Sequence, residues 1–373
     1  MLKDNDKLLF LCSYAAPYGG NFIPSLLALD VELGRHGIKC AYAFPTEAEG
    51  RPWIAQLKAA GKDVLCIDFH LAKLKFVKEL EAITTAKQIS IIYAHFTSVL
   101  PLEIFANLHR EIRVFIHIHS DFSAGKKSLK QTVHQFLLYR VLSRHVYFFS
   151  VSPAFVEYNT KRVSLIPNGL AKNRLACEHE GGASIRKRYQ VADGEILCEI
   201  FGWSQVVKGV DIAVNAIKLL NERNNVPVKL AIVCGATAPV EHMKKWIAEH
   251  TECSGNEPYL LYFEPCEDVF SYHEAADILL SASRSEGFPY SILEMLSLGK
   301  RCVISNISGT EWAKKYETTF SFATEDVDSC VAAILQAIEY GCQKNMRVAQ
   351  QVNSEYSIER WVEEIAEKLK QVP

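Results

Sequence analysis

A chain of 373 residues, 49% of them hydrophobic, suits two ordinary domains at ~150 residues each and has enough apolar content to fill both cores. No apolar run reaches the ~18 to 20 residues a membrane span requires, and the N-terminus has no basic-then-apolar leader pattern, so the expectation is a cytoplasmic protein. The net charge of −2 gives no reason to expect a nucleic-acid partner, but it conceals an asymmetry: residues 1–167 hold 20 Lys+Arg against 14 Asp+Glu, leaving 21 against 29 for the remainder.

The first predicted element is the apolar run Lys7 to Ser13, read as a strand. It is followed by Pro17-Tyr18-Gly19-Gly20-Asn21 and an amphipathic helix from about Pro24 to Gly34. A glycine pair between a strand and a helix lets backbone approach a phosphate or sugar, and the absence of GxGxxG argues against a nicotinamide dinucleotide. Strand and helix patterns then alternate through Cys40–Pro45, Trp53–Ala60, Val64–Phe69, Leu74–Thr84, Ser90–Phe96 and Leu100–Arg110, which predicts a doubly wound α/β domain. Along Arg113 to His119 side chains alternate, placing Phe115, His117 and His119 on one face. Two histidines at the carboxyl end of an interior strand sit where open α/β sheets bind ligands. A zinc pair finds no third ligand at metal spacing, and a satisfied core histidine is the ordinary fate of such a residue. His95, ending the preceding strand, is a weaker candidate.

A long amphipathic helix is expected over Ser128 to Arg144, then a strand Val146–Val151, a helix capped by Ser152-Pro153, and a strand Val163–Pro167 running into a turn at Asn168-Gly169. Ala171 to Gly182 reads as linker. A second α/β set begins at Ile196–Gly202. Its first loop, Trp203-Ser204-Gln205-Val206-Val207-Lys208-Gly209, leads into a helix Val210–Arg223 and carries a lysine able to neutralise a diphosphate. Strands follow at Val228–Gly235, Tyr259–Phe263 (before Glu264-Pro265-Cys266), Asp277–Ala282 and Cys302–Ser305, and Ile358–Leu369 has the apolar spacing of a final helix. The cysteines at positions 12, 40, 66, 198, 234 and 302 lie in or beside apolar runs without CxxC pairs and read as reduced core residues. Lys73, Lys75, Lys78, Lys126, Lys127 and Lys130 are candidates for an anionic membrane surface, against the commoner reading of a solvated helix face.

The chain is organised around Ser283-Arg284-Ser285-Glu286-Gly287-Phe288-Pro289-Tyr290-Ser291-Ile292-Leu293-Glu294-Met295-Leu296-Ser297-Leu298-Gly299. Pro289 reads as the first helical residue and Gly299 as the stop. The amides from Gly287 and Phe288 onward can meet a phosphate at the positive helix end. Glu286 and Glu294 suit the hydroxyl-rich ends of a sugar nucleotide. The bland alternative leaves Glu294 on the solvated face with Tyr290 and Ser297.

This string resembles the Glu-x7-Glu signature of retaining glycosyltransferases of family 4, usually written S-x-x-E-G-F-x-x-x-x-L-E-A-M-x-x-G, with Met295 and Leu296 where Ala-Met is usual. The resemblance implies a GT-B fold, two Rossmann-like doubly wound parallel-sheet domains facing a cleft. They would be an acceptor-side domain over 1–167, a nucleotide-sugar domain over 168–355 and a helix over 356–373 crossing back to the first domain. It implies sugar transfer from a UDP- or GDP-sugar to a saccharide or lipid-linked acceptor in bacterial polysaccharide or glycoconjugate synthesis, without metal or cofactor. The alternatives are a sugar-nucleotide epimerase of the same fold and a non-catalytic sugar-nucleotide-binding subunit. By the same resemblance Glu286 and His119 serve the transferred sugar and Glu294 the ribose. Gly19 and Gly20 border the diphosphate, and the loop at Cys266 meets the nucleobase. The donor site takes in Trp203, Ser204, Lys208, Gly209, Gly287, Phe288 and Pro289. The related pattern G-R-x-x-x-x-K-G is met by Lys208 and Gly209, but Trp203 stands where the arginine belongs, either to stack on the donor or to fill space.

Overall fold

The computed structural model describes residues 6–121, 129–158, 162–171, 179–223, 226–235 and 238–371. The chain divides into two compact units, Met1–Leu175 with Ile358–Pro373, and Ala176–Ser357. In the first, β1 (Lys7–Cys12), β2 (Lys39–Pro45), β3 (Asp63–Ile67), β4 (Ile91–His95), β5 (Arg113–Ile118), β6 (Val146–Ser150) and β7 (Val163–Leu165) form one sheet in the order β3-β2-β1-β4-β5-β6-β7. Every pair is parallel.

Helices cover both faces, so these strands read as nearly unbroken apolar runs. Leu8, Phe10, Tyr42, Tyr93 and Phe115 pack to one side with Ile23, Leu26 and Leu29 of the helix Phe22–Arg35. Trp361, Val362, Ile365 and Leu369 of the helix Ile358–Gln371 join the same core. Leu9, Leu11, Ile92, Val114 and Ile116 pack to the other side with Val77, Leu80, Leu102 and Phe105. Asn21 is buried and ties the end of the β7 segment to the turn after β1: its amide donates to Gly169 O at 2.9 Å, and its carbonyl accepts from Ala171 N at 2.9 Å.

The second unit repeats the plan with β8 (Ile196–Phe201), β9 (Val228–Val233), β10 (Leu260–Phe263), β11 (Ile278–Ser281), β12 (Arg301–Ser305) and β13 (Thr319–Phe322), ordered β10-β9-β8-β11-β12-β13 and again all parallel. In each sheet the strand order reverses once, between β1 and β4 and between β8 and β11. Open α/β sheets bind ligands outside the carboxyl ends of the strands at such a point. The two doubly wound parallel sheets expected from the sequence are therefore present.

Several local expectations need correction. The helix read over Ser128–Arg144 is α-helical over Leu129–Phe136 and then widens to a π-helix over Leu137–Leu142, where Ser143 N–H donates to Leu138 O at 3.0 Å. The linker read over Ala171–Gly182 lies outside the described residues at 172–178, and its end opens an unforeseen helix, Gly182–Arg188. Pro289 is the residue before the helix, with extended backbone, and Tyr290 begins it. Gly287 and Phe288 thus precede the first turn rather than belong to it. Gly299 does end this helix, at φ +69. The ten described cysteines are free thiols.

Candidate active site

At the switch point of the second unit, two loops meet. The one leaving β8 runs Gly202, Trp203, Ser204 and then coils into a single helical turn, Gln205–Lys208, an element with too few residues to show in the sequence pattern. Gly209 then takes φ +65 and lies so close to the end of β11 that a Cβ there would stand 2.1 Å from Ala282 O. No other residue type fits that approach.

Arg284 of the second loop fastens the two together. Its amide donates to Val207 O at 2.8 Å, and its guanidinium bridges Asp211 (2.9 and 2.7 Å) and Glu325 (2.6 and 2.8 Å). Bidentate forks of this kind fix direction as well as distance.

The fastening brings Lys208 to Glu286. The ammonium donates to Glu286 Oε1 at 2.5 Å, and Ser283 Oγ donates to the same oxygen at 2.7 Å. Both charged side chains are 13% exposed. The ammonium also stands 5.1 Å from the ring centroid of Trp203, within cation–π reach. Trp203 itself is 55% exposed, so it fills no interior space. Gly235 makes room for its stem, since a Cβ there would lie 2.6 Å from Trp203 Cβ. The loop at Glu286 is fixed from behind by Gly309, whose added Cβ would fall 1.9 Å from Glu286 O. Phe288 is buried and stacks on Trp312 at 4.2 Å and 14°, so its ring supports the loop rather than facing a ligand.

Glu294 departs from the solvated alternative. It is 4% exposed, and its Oε2 pairs with His273 Nε2 at 3.1 Å. Ser297, its supposed solvent neighbour, is buried as well. His273 Nδ1 pairs in turn with Glu199 Oε1, and both of these residues are fully buried. Burial alone would push the His273 imidazole down, but the carboxylates of Glu199 and, less, Glu294 hold it up at about 9. Neither Glu199 nor His273 was singled out from the sequence, because a glutamate inside a strand run and a histidine on a short helix show no relation until β8 and the helix Val269–Ala275 are folded together. Cys266, after β10, packs against the cluster that contains Phe263 and Tyr272.

In the first unit Gly19 and Gly20 form the turn between β1 and its helix, Gly20 at φ +55. Parallel pairing of β4 with β5 sets His95 opposite His117. His95 Nδ1 and His119 Nε2 are 2.9 Å apart, and Tyr93 Oη and His117 Nδ1 are 2.7 Å apart. Burial lowers all three imidazoles, His119 to about 3, so at neutral pH they exchange hydrogen bonds as neutral rings. Their nitrogens lie within 4.8 Å of one another, which supplies the third ring that the sequence could not show beside His117 and His119. Neutral, mutually close imidazoles are competent metal ligands. Phe96, at the unusual φ of +57, stacks on His119 at 4.4 Å and 26°. Backbone of this kind in a bulky residue gathers at functional sites. A cavity of about 450 Å³ opens here, lined by Lys73, Phe96, Ser98, His117, His119 and Tyr139.

Two Asp-x-Asp triplets occur, at 4–6 and 326–328; Asp4 lies outside the described residues, and one aspartate of each triplet is engaged. Asp6 accepts from Arg113 and Ser90, and Asp326 caps the helix Val327–Glu339 through Ser329 N. The residues Trp203, Lys208 and Glu286 are thus assembled into one group. Glu294 belongs to a second buried cluster of the same unit, and His119, Gly19 and Gly20 belong to the other unit.

Residues 200–340 match the protein-family profile described as "Glycosyl transferases group 1". A curated relative, the UDP-Gal:alpha-D-GlcNAc-diphosphoundecaprenol alpha-1,3-galactosyltransferase of Escherichia coli, is 25% identical over 181 residues, covering 48% of this chain and 46% of the relative. The matched part thus spans under half of that protein's length. Among solved structures, a glycosyltransferase from Rickettsia africae ESF-5 superposes with a TM-score of 0.77 at 13% identity, covering 100% of both chains. HepE of Anabaena, solved in complex with UDP, gives 0.75 at 18% identity over 98% of this chain and 100% of that one. Sucrose-phosphate synthase from Thermosynechococcus elongatus gives 0.75 at 13% identity over 98% of each chain. Similarity of this extent across both sheets shows the GT-B fold, and residues 200–340 of the second unit match the glycosyl transferases group 1 profile.

Proposed function

We propose that this protein is a retaining, metal-independent glycosyltransferase that moves a hexose from a UDP- or GDP-sugar to a saccharide or lipid-linked acceptor, in bacterial polysaccharide or glycoconjugate synthesis at the cytoplasmic face of a membrane. The observation that carries this reading is the Lys208–Glu286 pair, held at 2.5 Å on two loops at the switch point of the second sheet. Cleavage of a sugar nucleotide develops negative charge on the departing diphosphate and positive charge at the anomeric carbon. A preorganised ammonium and carboxylate side by side complement that separation. Lys208 and the first-turn amides after Pro289 take the diphosphate, with the backbone at Ser204 and Gly209 as its close boundary. Glu286 takes the transferred sugar, Glu294 the ribose, and the loop at Cys266 the base. The E. coli relative is named for a UDP-galactose donor and a lipid diphosphate acceptor, and HepE was solved with UDP, which favours a uracil nucleotide here.

Exposed Lys73, Lys75 and Lys78 beside exposed Leu74 support contact with an anionic surface. Of the other lysines considered for that contact, Lys126 and Lys127 lie outside the described residues, as does the side chain of Lys130. One assay addresses donor and surface together: release of UDP from UDP-galactose and UDP-glucose, with and without anionic vesicles carrying lipid diphosphate-linked sugar. Slow release without acceptor and faster release with the vesicles is the expected result. Clean inversion at C2 would instead identify an epimerase.

The exposed Trp203 in place of an arginine favours a second reading, a sugar-nucleotide-binding subunit without turnover. Trp203→Arg separates the two roles of the ring. A tryptophan that stacks on the donor makes this variant bind sugar nucleotide roughly 5- to 150-fold more weakly, at ~1 to 3 kcal/mol for stacking. A tryptophan outside the site leaves calorimetric affinity and rate unchanged.

A further inference from the structure

We propose that His273, clamped between Glu199 and Glu294 inside the second unit, is the positioning residue that presents the Glu294 carboxylate to the donor's ribose. The inference rests on the donor-site reading above and adds two residues to it. Three buried ionisable side chains on three different elements, β8, the helix Val269–Ala275 and the helix Tyr290–Ser297, form one chain of hydrogen bonds. A carboxylate at 4% exposure is costly unless a donor compensates it, and His273 supplies that donor to Oε2. Glu199 closes the chain from the far side, where its Oε2 is buried and without a hydrogen-bond partner. A glutamate wholly inside a strand, with one oxygen unsatisfied, destabilises the fold by itself. Its effect on His273 gives it a use.

With both ring nitrogens protonated, His273 donates to the two carboxylates at once. The imidazole is held up at about 9, so this state is complete below that pH and is lost as pH rises through it. A neutral ring has a single N–H. Glu199, the more deeply buried carboxylate, claims it, and Glu294 is released. In a Glu199→Gln protein the amide can donate to Nδ1, so the neutral ring keeps its N–H on Glu294 and no release occurs.

Other ionisable groups face the cluster. Lys300 donates to Glu274 O at 2.7 Å and to Ala276 O, and burial lowers it to about 8 against the pull of Glu199, Asp277 and Glu274. Cys198, next to Glu199 on β8, and Cys302 on β12 are thiols raised by burial. Lys300 is the group that could mimic His273, and Lys300→Gln removes it.

The test is calorimetric titration of the full-length protein with UDP from pH 7 to 10, on variants whose melting temperatures show a folded state. Beyond the loss that ionisation of the uracil N3–H causes in every variant, wild type is expected to lose about tenfold in affinity through a step near pH 9, and to keep that additional step in Lys300→Gln. Glu199→Gln should bind as wild type at pH 7.5 and lose the step, and His273→Gln should bind roughly tenfold more weakly at every pH. Wild-type affinity in a folded His273→Gln protein overturns the proposal, as does a step that persists in Glu199→Gln or vanishes in Lys300→Gln. Glu294→Gln distinguishes this failure from a deeper one. If it binds UDP as wild type does, the donor-site reading falls, whatever His273 does.

Discussion

Replacing Lys208 by alanine is expected to reduce turnover by ~10² to 10³, about 3 kcal/mol of transition-state stabilisation, with the fold intact. The magnitude follows from position rather than from charge alone. The ammonium is held between Glu286 at 2.5 Å and the face of Trp203 at 5.1 Å, and the helical turn that carries it is fastened to β11 through Gly209 and Arg284. It is therefore already seated beside the point where charge would develop on a leaving diphosphate, once Glu286 shares it. Among the described residues, Lys208 is the cation paired with Glu286. Removing it leaves Glu286 bonded to Ser283 Oγ at 2.7 Å, which keeps the loop in place and separates a kinetic effect from unfolding. Lys208→Arg retains the charge and should recover part of the rate. Single-turnover measurements with thermal melts of all three proteins check this, and wild-type turnover in a folded Lys208→Ala protein would remove the residue from the mechanism.

The fold was legible because its signals are local. Each buried parallel strand is a short apolar run, and helices alternate with strands throughout, so periodicity gave one doubly wound domain and a second α/β set, and the resemblance made both Rossmann-like. The strand face shared by Phe115 and His117 followed from the period of two and is found as expected, with Phe115 packed among Phe10, Tyr93 and Phe149. What periodicity could not supply was register between distant segments. His95 meets His119 because β4 pairs with β5 in one particular register. Glu294 looked like a solvated residue on a helical wheel because the wheel shows one helix and omits what packs on its far side, here His273. The turn Gln205–Lys208 and the preceding Trp203 fall below the length at which a pattern exists. The glycines were easier: Gly209 and Gly299 take positive φ.

Glu286→Gln is expected to depress turnover by ~10² or more while leaving UDP affinity unchanged or higher, a combination that a general binding residue cannot give. In the ligand-free protein Glu286 holds the ammonium that a diphosphate needs, so binding requires the pair to share or release Lys208. An amide of the same size keeps the hydrogen bond from Ser283 Oγ and the seat against Gly309, but it gives up the ionic claim on Lys208, so the diphosphate competes for a less committed cation. The cost then falls on the step in which positive charge grows at the sugar, where a carboxylate stabilises and an amide does not. Glu294→Gln should show the reverse pattern, with UDP and UDP-sugar weakened alike by ~1.5 to 3 kcal/mol, the worth of hydrogen bonds to a charged group. Titration with UDP alone, followed by kcat at saturating donor, reads both quantities from the same preparations. Should Glu286→Gln weaken UDP as strongly as it slows turnover, its carboxylate is acting on the nucleotide end of the donor, and the assignment of the two glutamates to opposite ends of one ligand is wrong.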